Sequence, residues 1–155
     1  MDNLKTILQE KEVQYKNIQH EKQIRTAREG AYYFGIEIGQ TAPTLVVKSE
    51  KGYFAMIVSG SRGRVNLEKV SRIIGCNELK MANPKEVRQI TGYTAGSVSL
   101  VLSLPCILDR ELFRYPFIYG GTGEPASTLK LAPNDLEKIN QVVAFWILIK
   151  RKSLR

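Results

Sequence analysis

Three short segments with clear helix start and stop signals constrain the fold of this chain most strongly. Each segment opens with a capping residue and closes with a glycine: Thr26 to Gly35, Asn66 to Gly75, and Asn83 to Gly92. Side-chain oxygens of Thr and Asn accept hydrogen bonds from free amides at a helix start, and glycine adopts the left-handed conformation that ends a helix. These signals predict three short helices.

Strand-like runs lie between and after these helices. Thr44–Lys48 and Tyr53–Val58 predict a hairpin with 49–52 as its turn, and Tyr15–Ile18 predicts a brief strand after an N-terminal helix. Four more candidate strands follow: Ser97–Leu102, Cys106–Leu108, Phe117–Tyr119 and Thr128–Leu131. A last helix is expected around Asn134–Gln141, and the apolar run Val142–Ile149 could be strand or helix. Long helices do not alternate regularly with strands, so we expect one α+β domain with short helices interleaved in a mixed β-sheet.

Charge is concentrated at the C-terminus. The 155 residues carry a formal net charge of +8, and four of the positive charges lie within the last six residues. We therefore divide the chain into a domain, 1–149, and a basic tail, 150–155. The tail, with Lys150, Arg151 and Lys152, is either a solvated end or an arm that contacts phosphates.

Several chemistries lack the residues that they need. The two cysteines, Cys76 and Cys106, have no CxxC spacing, and His20 is the only histidine, so we expect reduced thiols, no metal site and no cofactor. Phosphate-binding glycine motifs and a nucleophile elbow are absent from the sequence. His20 is expected to be an exposed loop imidazole. Neither a signal peptide nor a membrane-spanning run is present, which favours a cytoplasmic protein without a membrane partner.

Three glycine-rich loops could approach a ligand: 60–64, 92–97 and 120–123. The first places Arg62 and Arg64 beside small residues, a pattern that suits a phosphate, although a solvated turn would show the same pattern. In the other two, glycines would let the backbone approach a ligand and present amides to a developing oxyanion.

In their order along the chain, several motifs resemble those of the YbaK/ProX family, the prolyl-tRNA synthetase editing domain and its free-standing relatives. The resemblance covers about residues 20–145 and is carried by these segments: Thr26–Ala31, Thr44–Val47, Met81–Val87, Thr91–Ser99, Ile107–Asp109, Ile118–Gly123 and Leu129–Leu136. It implies one α+β domain around a mixed, curved sheet. It also implies hydrolysis of the ester between a wrong amino acid and the 3′ adenosine of a tRNA, with water as nucleophile and backbone amides stabilising the charge.

The resemblance also implies site residues. The catalytic group would be Gly96, Ser99 and Asp109, and the substrate-binding group Thr44, Ser97, Val98, Gly120 and Gly121. The tRNA partner would contact Arg62, Arg64, Lys150, Arg151 and Lys152. We expect the two glycine loops to line one concave site that faces the Thr44 strand.

Two positions depart from the family pattern. The family lysine before Thr-Leu falls on Pro43, and the proline of its G-x-x-x-P loop falls on Leu100. Lys48 is no simple replacement, because four residues of strand span about 13 Å. Two functions therefore stay open: an aminoacyl-tRNA deacylase that works without the lysine, and a non-catalytic relative that binds a tRNA 3′ end, a nucleotide or an aminoacyl species. The oligomeric state also stays open.

Overall fold

The computed structural model describes residues 2–63 and 65–146. Its helices are α1 (Asp2–Glu10), α2 (Ala27–Phe34), α3 (Leu67–Ile74), α4 (Pro84–Thr91) and α5 (Leu136–Ile139). Its strands are β1 (Tyr15–Gln19), β2 (Thr41–Ala42), β3 (Thr44–Ser49), β4 (Gly52–Ile57), β5 (Leu79–Met81), β6 (Cys106–Asp109), β7 (Ile118–Gly121), β8 (Ser127–Leu131) and β9 (Val142–Trp146). No helix in the described ranges is long and apolar enough to cross a membrane.

The three capped helices form where the sequence predicts them. In α2 the Thr26 hydroxyl accepts a hydrogen bond from the Glu29 amide at 3.0 Å, and Asn66 and Asn83 cap α3 and α4 in the same way. Gly35, Gly75 and Gly92 end these helices with φ of 66°, 75° and 82°. Local capping chemistry thus determines where these helices begin and end.

The strands are divided between two mixed sheets. The four-stranded sheet has the order β1-β8-β7-β2, and the five-stranded sheet has the order β5-β3-β4-β6-β9. Strand β7 pairs in parallel with β2, and β6 pairs in parallel with both β4 and β9. The chain passes from one sheet to the other at Pro43, between β2 and β3. The predicted α+β class is confirmed.

Two predicted elements differ from the structure. The strand predicted over Ser97–Leu102 is wrong, because this segment is an irregular loop. The last helix is shorter than predicted and ends at Ile139, because Asn140 is extended. The Asn140 side chain binds the loop instead: its Oδ1 accepts from the Leu102 amide at 2.9 Å, and its Nδ2 donates to the Leu100 carbonyl at 2.8 Å. The run Val142–Ile149 is a strand as far as Trp146, and the rest lies outside the described residues.

Leu100 fixes the loop against the four-stranded sheet. Its side chain is fully buried in the main core cluster, where it packs with residues of both sheets. Its amide donates to the Gly121 carbonyl at 2.9 Å. At position 100 this chain therefore uses a core leucine and a backbone hydrogen bond to hold the loop.

Replacing Leu100 should show both contributions. Leu100→Ala should lower the free energy of unfolding by about 3 kcal/mol through the cavity that it leaves. Leu100→Pro should cost about 1 kcal/mol more, because proline also removes the amide that bonds to Gly121. Urea denaturation of the two variants measures the difference. A proline variant as stable as the wild type would show that the loop is held in another way.

Candidate functional site

A cavity of about 290 Å³ opens where α2, the β2–β3 junction and β7 meet the loop before Leu100. It is lined by Ile24, Arg25, Thr26, Ala27, Gly30, Phe34, Thr41, Ala42, Pro43, Thr44, Leu45, Gly96, Ser97, Val98, Tyr119, Gly120, Gly121, Glu124, Pro125, Ser127 and Thr128. The cavity therefore contains the two glycine loops and the Thr44 strand, brought together as the sequence analysis expects.

The glycine loops meet because side chains are absent between them. A Cβ at Gly120 would lie 2.6 Å from three atoms of the Leu100 side chain, and one at Gly121 would overlap the Val98 carbonyl oxygen. At Gly96 a Cβ would meet open space, so space does not require glycine there. The backbone φ of 93° does, because it lies in the left-handed region that favours glycine. Backbone atoms consequently form much of this wall of the cavity.

Two polar groups at the cavity lack a protein partner. The Thr44 hydroxyl oxygen is buried and makes no hydrogen bond within the described part of the chain. The amide of Val98, a residue that is 5% exposed, also makes no backbone hydrogen bond within that part. Buried polar groups are nearly always paired, so an unpaired hydroxyl and an unpaired amide at one cavity suit a ligand that supplies an acceptor or a donor.

The cavity is otherwise almost neutral. Its two charged lining residues, Arg25 and Glu124, are both exposed, and the remaining polar groups are hydroxyls and backbone amides. Lining residues therefore do not include a histidine, a cysteine, a lysine or an aspartate. Catalysis at this site would rely on oriented dipoles and on groups of the substrate.

His20 lies next to the cavity residue Thr128, and the expectation that it is exposed is wrong: only 7% of its surface is accessible. Its Nδ1 lies 2.6 Å from the Lys22 carbonyl oxygen and its Nε2 lies 3.0 Å from the Thr128 hydroxyl. A carbonyl only accepts, so Nδ1 carries the proton, and in the neutral ring Nε2 accepts from Thr128. His20 thereby holds the hydroxyl of a residue that lines the cavity.

The position at which the family resemblance leads us to expect a lysine also lies at the cavity. Pro43 lines it, and the Pro43 carbonyl accepts from the Val58 amide at 3.0 Å. Lys48 is not a lining residue: its ammonium is ion-paired with Glu86, and this hydrogen bond lowers the pKa of the Glu86 carboxyl. The described lining therefore has no ammonium group.

Asp109 and Ser99, expected at the catalytic centre, do not line the cavity. The buried Asp109 carboxylate accepts from Arg62 Nε at 3.0 Å, Arg62 Nη2 at 2.9 Å, and the amides of Ser59 and Glu111 at 2.9 Å each. This hydrogen bonding raises the pKa of Arg62, and its guanidinium also lies 5.0 Å from the centroid of Trp146. The geometry thus gives Asp109 and Arg62 a structural role as one ion pair.

The other predicted residues are placed as follows. The Ser99 hydroxyl accepts from the Val101 amide at 3.0 Å. Arg64 and the tail residues Lys150, Arg151 and Lys152 lie outside the described residues. Both thiols are free and buried, and burial raises the pKa of Cys106 to about 12, so it is not a nucleophile.

Sequence reasoning missed the aromatic side chains and some of the hydroxyl-bearing residues that line the cavity. Phe34 and Tyr119 line the cavity with their ring centroids 5.1 Å apart, and Thr41 and Thr128 contribute hydroxyl-bearing residues. Tyr119 directly precedes Gly120 and Gly121, so its place beside these predicted site residues could have indicated that it lines the cavity. Phe34 gave no such signal, because an apolar residue at the end of a helix usually packs in the core.

A matched pair of threonine variants tests whether the Thr44 hydroxyl contributes to the stability of the fold. The Thr41 hydroxyl donates to the Ile38 carbonyl at 2.6 Å, whereas Thr44 has no partner. Thr41→Val should therefore cost about 1 kcal/mol of stability, and Thr44→Val should cost nothing or stabilise the protein. Urea denaturation of both variants measures this. A loss of stability in Thr44→Val as large as in Thr41→Val would show that its hydroxyl is bonded.

A second pair of variants tests the role of Asp109. Asp109→Asn should destabilise the protein by about 3 kcal/mol or more, since it leaves the buried Arg62 guanidinium without a full counter-charge. The exposed i,i+4 pair Glu68–Arg72 is the control, and Arg72→Gln should cost less than about 0.5 kcal/mol. Thermal unfolding measures both. Wild-type stability of Asp109→Asn would contradict the structural role.

Comparison with known proteins places this geometry in a family. Residues 21–139 match the model of the aminoacyl-tRNA editing domain. A proline–tRNA ligase of Thermosipho melanesiensis is 28% identical over 109 residues, which cover 68% of this chain and 19% of the ligase. Another from Desulforamulus reducens is 35% identical over 77 residues, covering 50% of this chain and 13% of the ligase. The chain thus spans about a fifth or less of these curated relatives.

Solved structures agree over nearly the whole chain. One described as a candidate trans-editing enzyme for prolyl tRNA synthetase is 32% identical, has a TM-score of 0.79, and is aligned over 92% of this chain and 94% of its own. A hypothetical protein, 25% identical, has a TM-score of 0.84 with 92% and 96% covered. The family model matches residues 21–139, which are more than half of this chain, so the chain belongs to the aminoacyl-tRNA editing domain family.

Proposed function

We propose that this protein hydrolyses the ester of a mischarged aminoacyl-tRNA, with the aminoacyl group in the cavity between Thr44, the Gly96–Val98 loop and the Gly120–Gly121 backbone. The observation that carries the proposal is that four of the segments resembling the editing family line this one cavity: Thr26–Ala31, Thr44–Val47, Thr91–Ser99 and Ile118–Gly123. Its volume of about 290 Å³ suits a small aminoacyl group. The solved relative described as a trans-editing enzyme supports the same activity.

The neutral lining suits this reaction. An aminoacyl ester is already activated, so a water molecule can attack it without a strong base, and the neighbouring ribose hydroxyl of the substrate can assist. The charge that develops on the carbonyl oxygen needs hydrogen-bond donors, and the unpaired Val98 amide is one available donor. The Thr44 hydroxyl is available to the aminoacyl group or the ribose.

The Asp109–Arg62 ion pair and the Ser99 hydroxyl would act at a distance in this proposal. They hold the segments on which the cavity is built, and the substrate contacts come from Gly96, Ser97 and Val98. Contact with the rest of the tRNA through Arg64 and the tail residues Lys150, Arg151 and Lys152 stays a proposal based on their charge.

Pro43 supports a second candidate, a binder without hydrolysis. If Pro43 takes the place of the family lysine, the cavity lacks a cation that could hold the substrate. A protein of this kind would bind a tRNA 3′ end, a nucleotide or an aminoacyl species and release it unchanged. Deacylation assays across a panel of mischarged tRNAs distinguish the two: ester hydrolysis above the spontaneous rate supports the editing proposal, and binding with no hydrolysis supports the second candidate.

Placing a lysine at position 43 tests the missing cation. Pro43→Lys should keep its stability within about 1 kcal/mol, because the residue is only half-buried and its carbonyl still accepts from Val58. Deacylation of a small mischarged aminoacyl-tRNA should rise at least about tenfold, since a hydrogen bond from a charged group is worth about 1.5–3 kcal/mol.

Pro43→Met is the matched control, because it removes the same ring and has a similar length without a charge. It should leave the rate unchanged. An equal rise in both variants would show that the proline ring, and not the missing ammonium, limits the reaction. Wild-type hydrolysis that Pro43→Lys does not improve would show that catalysis here depends on the glycine loops alone.

A further inference from the structure

One face of the four-stranded sheet carries a row of basic and aromatic side chains. In the register of β1 and β8, Lys16 lies directly opposite Lys130, and in the register of β7 and β8, Tyr119 lies directly opposite Lys130. Residues directly opposite each other share a face, and Phe117 joins them two residues before Tyr119. We name these four residues, Lys16, Lys130, Phe117 and Tyr119, the aromatic–lysine face.

Lys130 contacts both rings of this face, and two of the four residues are exposed to solvent. The Lys130 ammonium lies 4.7 Å from the ring centroid of Phe117 and 5.7 Å from that of Tyr119. The Phe117 side chain is 44% exposed, which is high for a phenylalanine, and Lys16 is exposed. A large apolar ring therefore faces solvent beside the Lys130 ammonium, and a second lysine stands one strand further along the face.

The fold supplies no counter-charge for this pair of lysines. Like charges directly opposite each other in a sheet are destabilising. None of the four strands of this sheet contains an aspartate or glutamate, and across residues 2–63 and 65–146 no carboxylate lies within 4.0 Å of either ammonium. Stability of the sheet does not explain this arrangement, whereas an anionic partner would.

The aromatic–lysine face continues into the cavity. Tyr119 belongs to both, and Phe34, which also lines the cavity, lies against it. A chain that leaves the cavity along Tyr119 therefore reaches Lys130 and then Phe117. Alternating rings and cations match single-stranded nucleic acid, in which bases stack on aromatic side chains while phosphates bind lysines.

We propose that the aromatic–lysine face binds the single-stranded 3′ end of an RNA whose terminal residue enters the cavity. A base near this end stacks on Phe117, and the phosphates beside it bind Lys16 and Lys130. The inference rests on the proposed function for the position of the terminal residue, but it concerns a separate surface and RNA binding, which requires no hydrolysis.

Binding of uncharged RNA tests the proposal directly. The probes are an RNA hairpin with a single-stranded 3′ end of sequence ACCA and the same hairpin with a blunt end. The wild-type protein should bind the first more tightly. Phe117→Ala and Phe117→Leu should weaken that binding about 5- to 150-fold, the range for losing one stacked base, and Phe117→Trp should retain it.

The lysines are tested by salt dependence. Lys16→Gln and Lys130→Gln should each reduce the log–log slope of affinity against salt by about 0.7, the value for one phosphate contact on a single strand. Lys80→Gln is the matched control, because Lys80 is an exposed strand lysine of the other sheet, and it should not change the slope. Circular dichroism and thermal unfolding establish that each variant is folded.

The outcomes separate this proposal from the proposed function. If the wild type prefers the single-stranded end and the Phe117→Leu and lysine variants lose this preference, the docking surface is supported. This holds even if the protein deacylates no tRNA, because the absence of deacylation would overturn only the proposed hydrolysis. Deacylation by a protein whose Phe117 and lysine variants bind RNA like the wild type would overturn the docking surface alone. Equal binding of the blunt hairpin, or no binding of either RNA by the wild type, would also overturn it.

Discussion

The backbone of β7 and the loop from Gly96 to Leu100 lie closer together than side chains would permit, and the cavity depends on that approach. The Leu100 side chain occupies the space that a Cβ at Gly120 would need, and its amide bonds to the Gly121 carbonyl. A core leucine, two adjacent glycines and one backbone hydrogen bond together attach an irregular loop to a sheet. The loop can then present its amides to the cavity without regular secondary structure of its own.

This construction explains how a chain with one histidine can form a reaction site. The chemistry proposed for the cavity needs a shaped, largely neutral space with oriented dipoles more than it needs an acid and a base. Charged groups outside the cavity lining form ion pairs in its surroundings: Asp109, which was expected at the site, binds Arg62, and Glu86 binds Lys48. The buried His20 orients the Thr128 hydroxyl through a hydrogen bond.

The sequence predicted the parts of the fold that local chemistry determines. Each of three residues starts a helix by accepting a hydrogen bond from the amide three residues later: Thr26, Asn66 and Asn83. The turn of the β3–β4 hairpin likewise joins residues that are close in the sequence. The loop over 97–102 was predicted as a strand, because its alternating apolar residues resemble a strand while its actual partners, Gly121 and Asn140, are distant in the chain.

The candidate site shows the same difference between local patterns, which the sequence reveals, and contacts between distant residues, which it does not. The glycine motifs predicted the convergence at the cavity, because the family resemblance carries long-range information that periodicity lacks. The Arg62–Asp109 pair spans 47 residues and the His20–Thr128 pair spans 108, and no local pattern marks either. Burial of Asp109 and His20 consequently emerged only from the structure.

The central claim is that the cavity, with its amides and the Thr44 hydroxyl, holds an aminoacyl group attached to a terminal adenosine. The most direct measurement is NMR titration with a non-hydrolysable 3′-aminoacylamino adenosine, in which an amide replaces the ester. We predict saturable shifts of the backbone amides of Thr44, Gly96–Val98 and Gly120–Gly121, and their reduction in Thr44→Val. Shifts confined to other surfaces, or none at saturating ligand, would contradict the account.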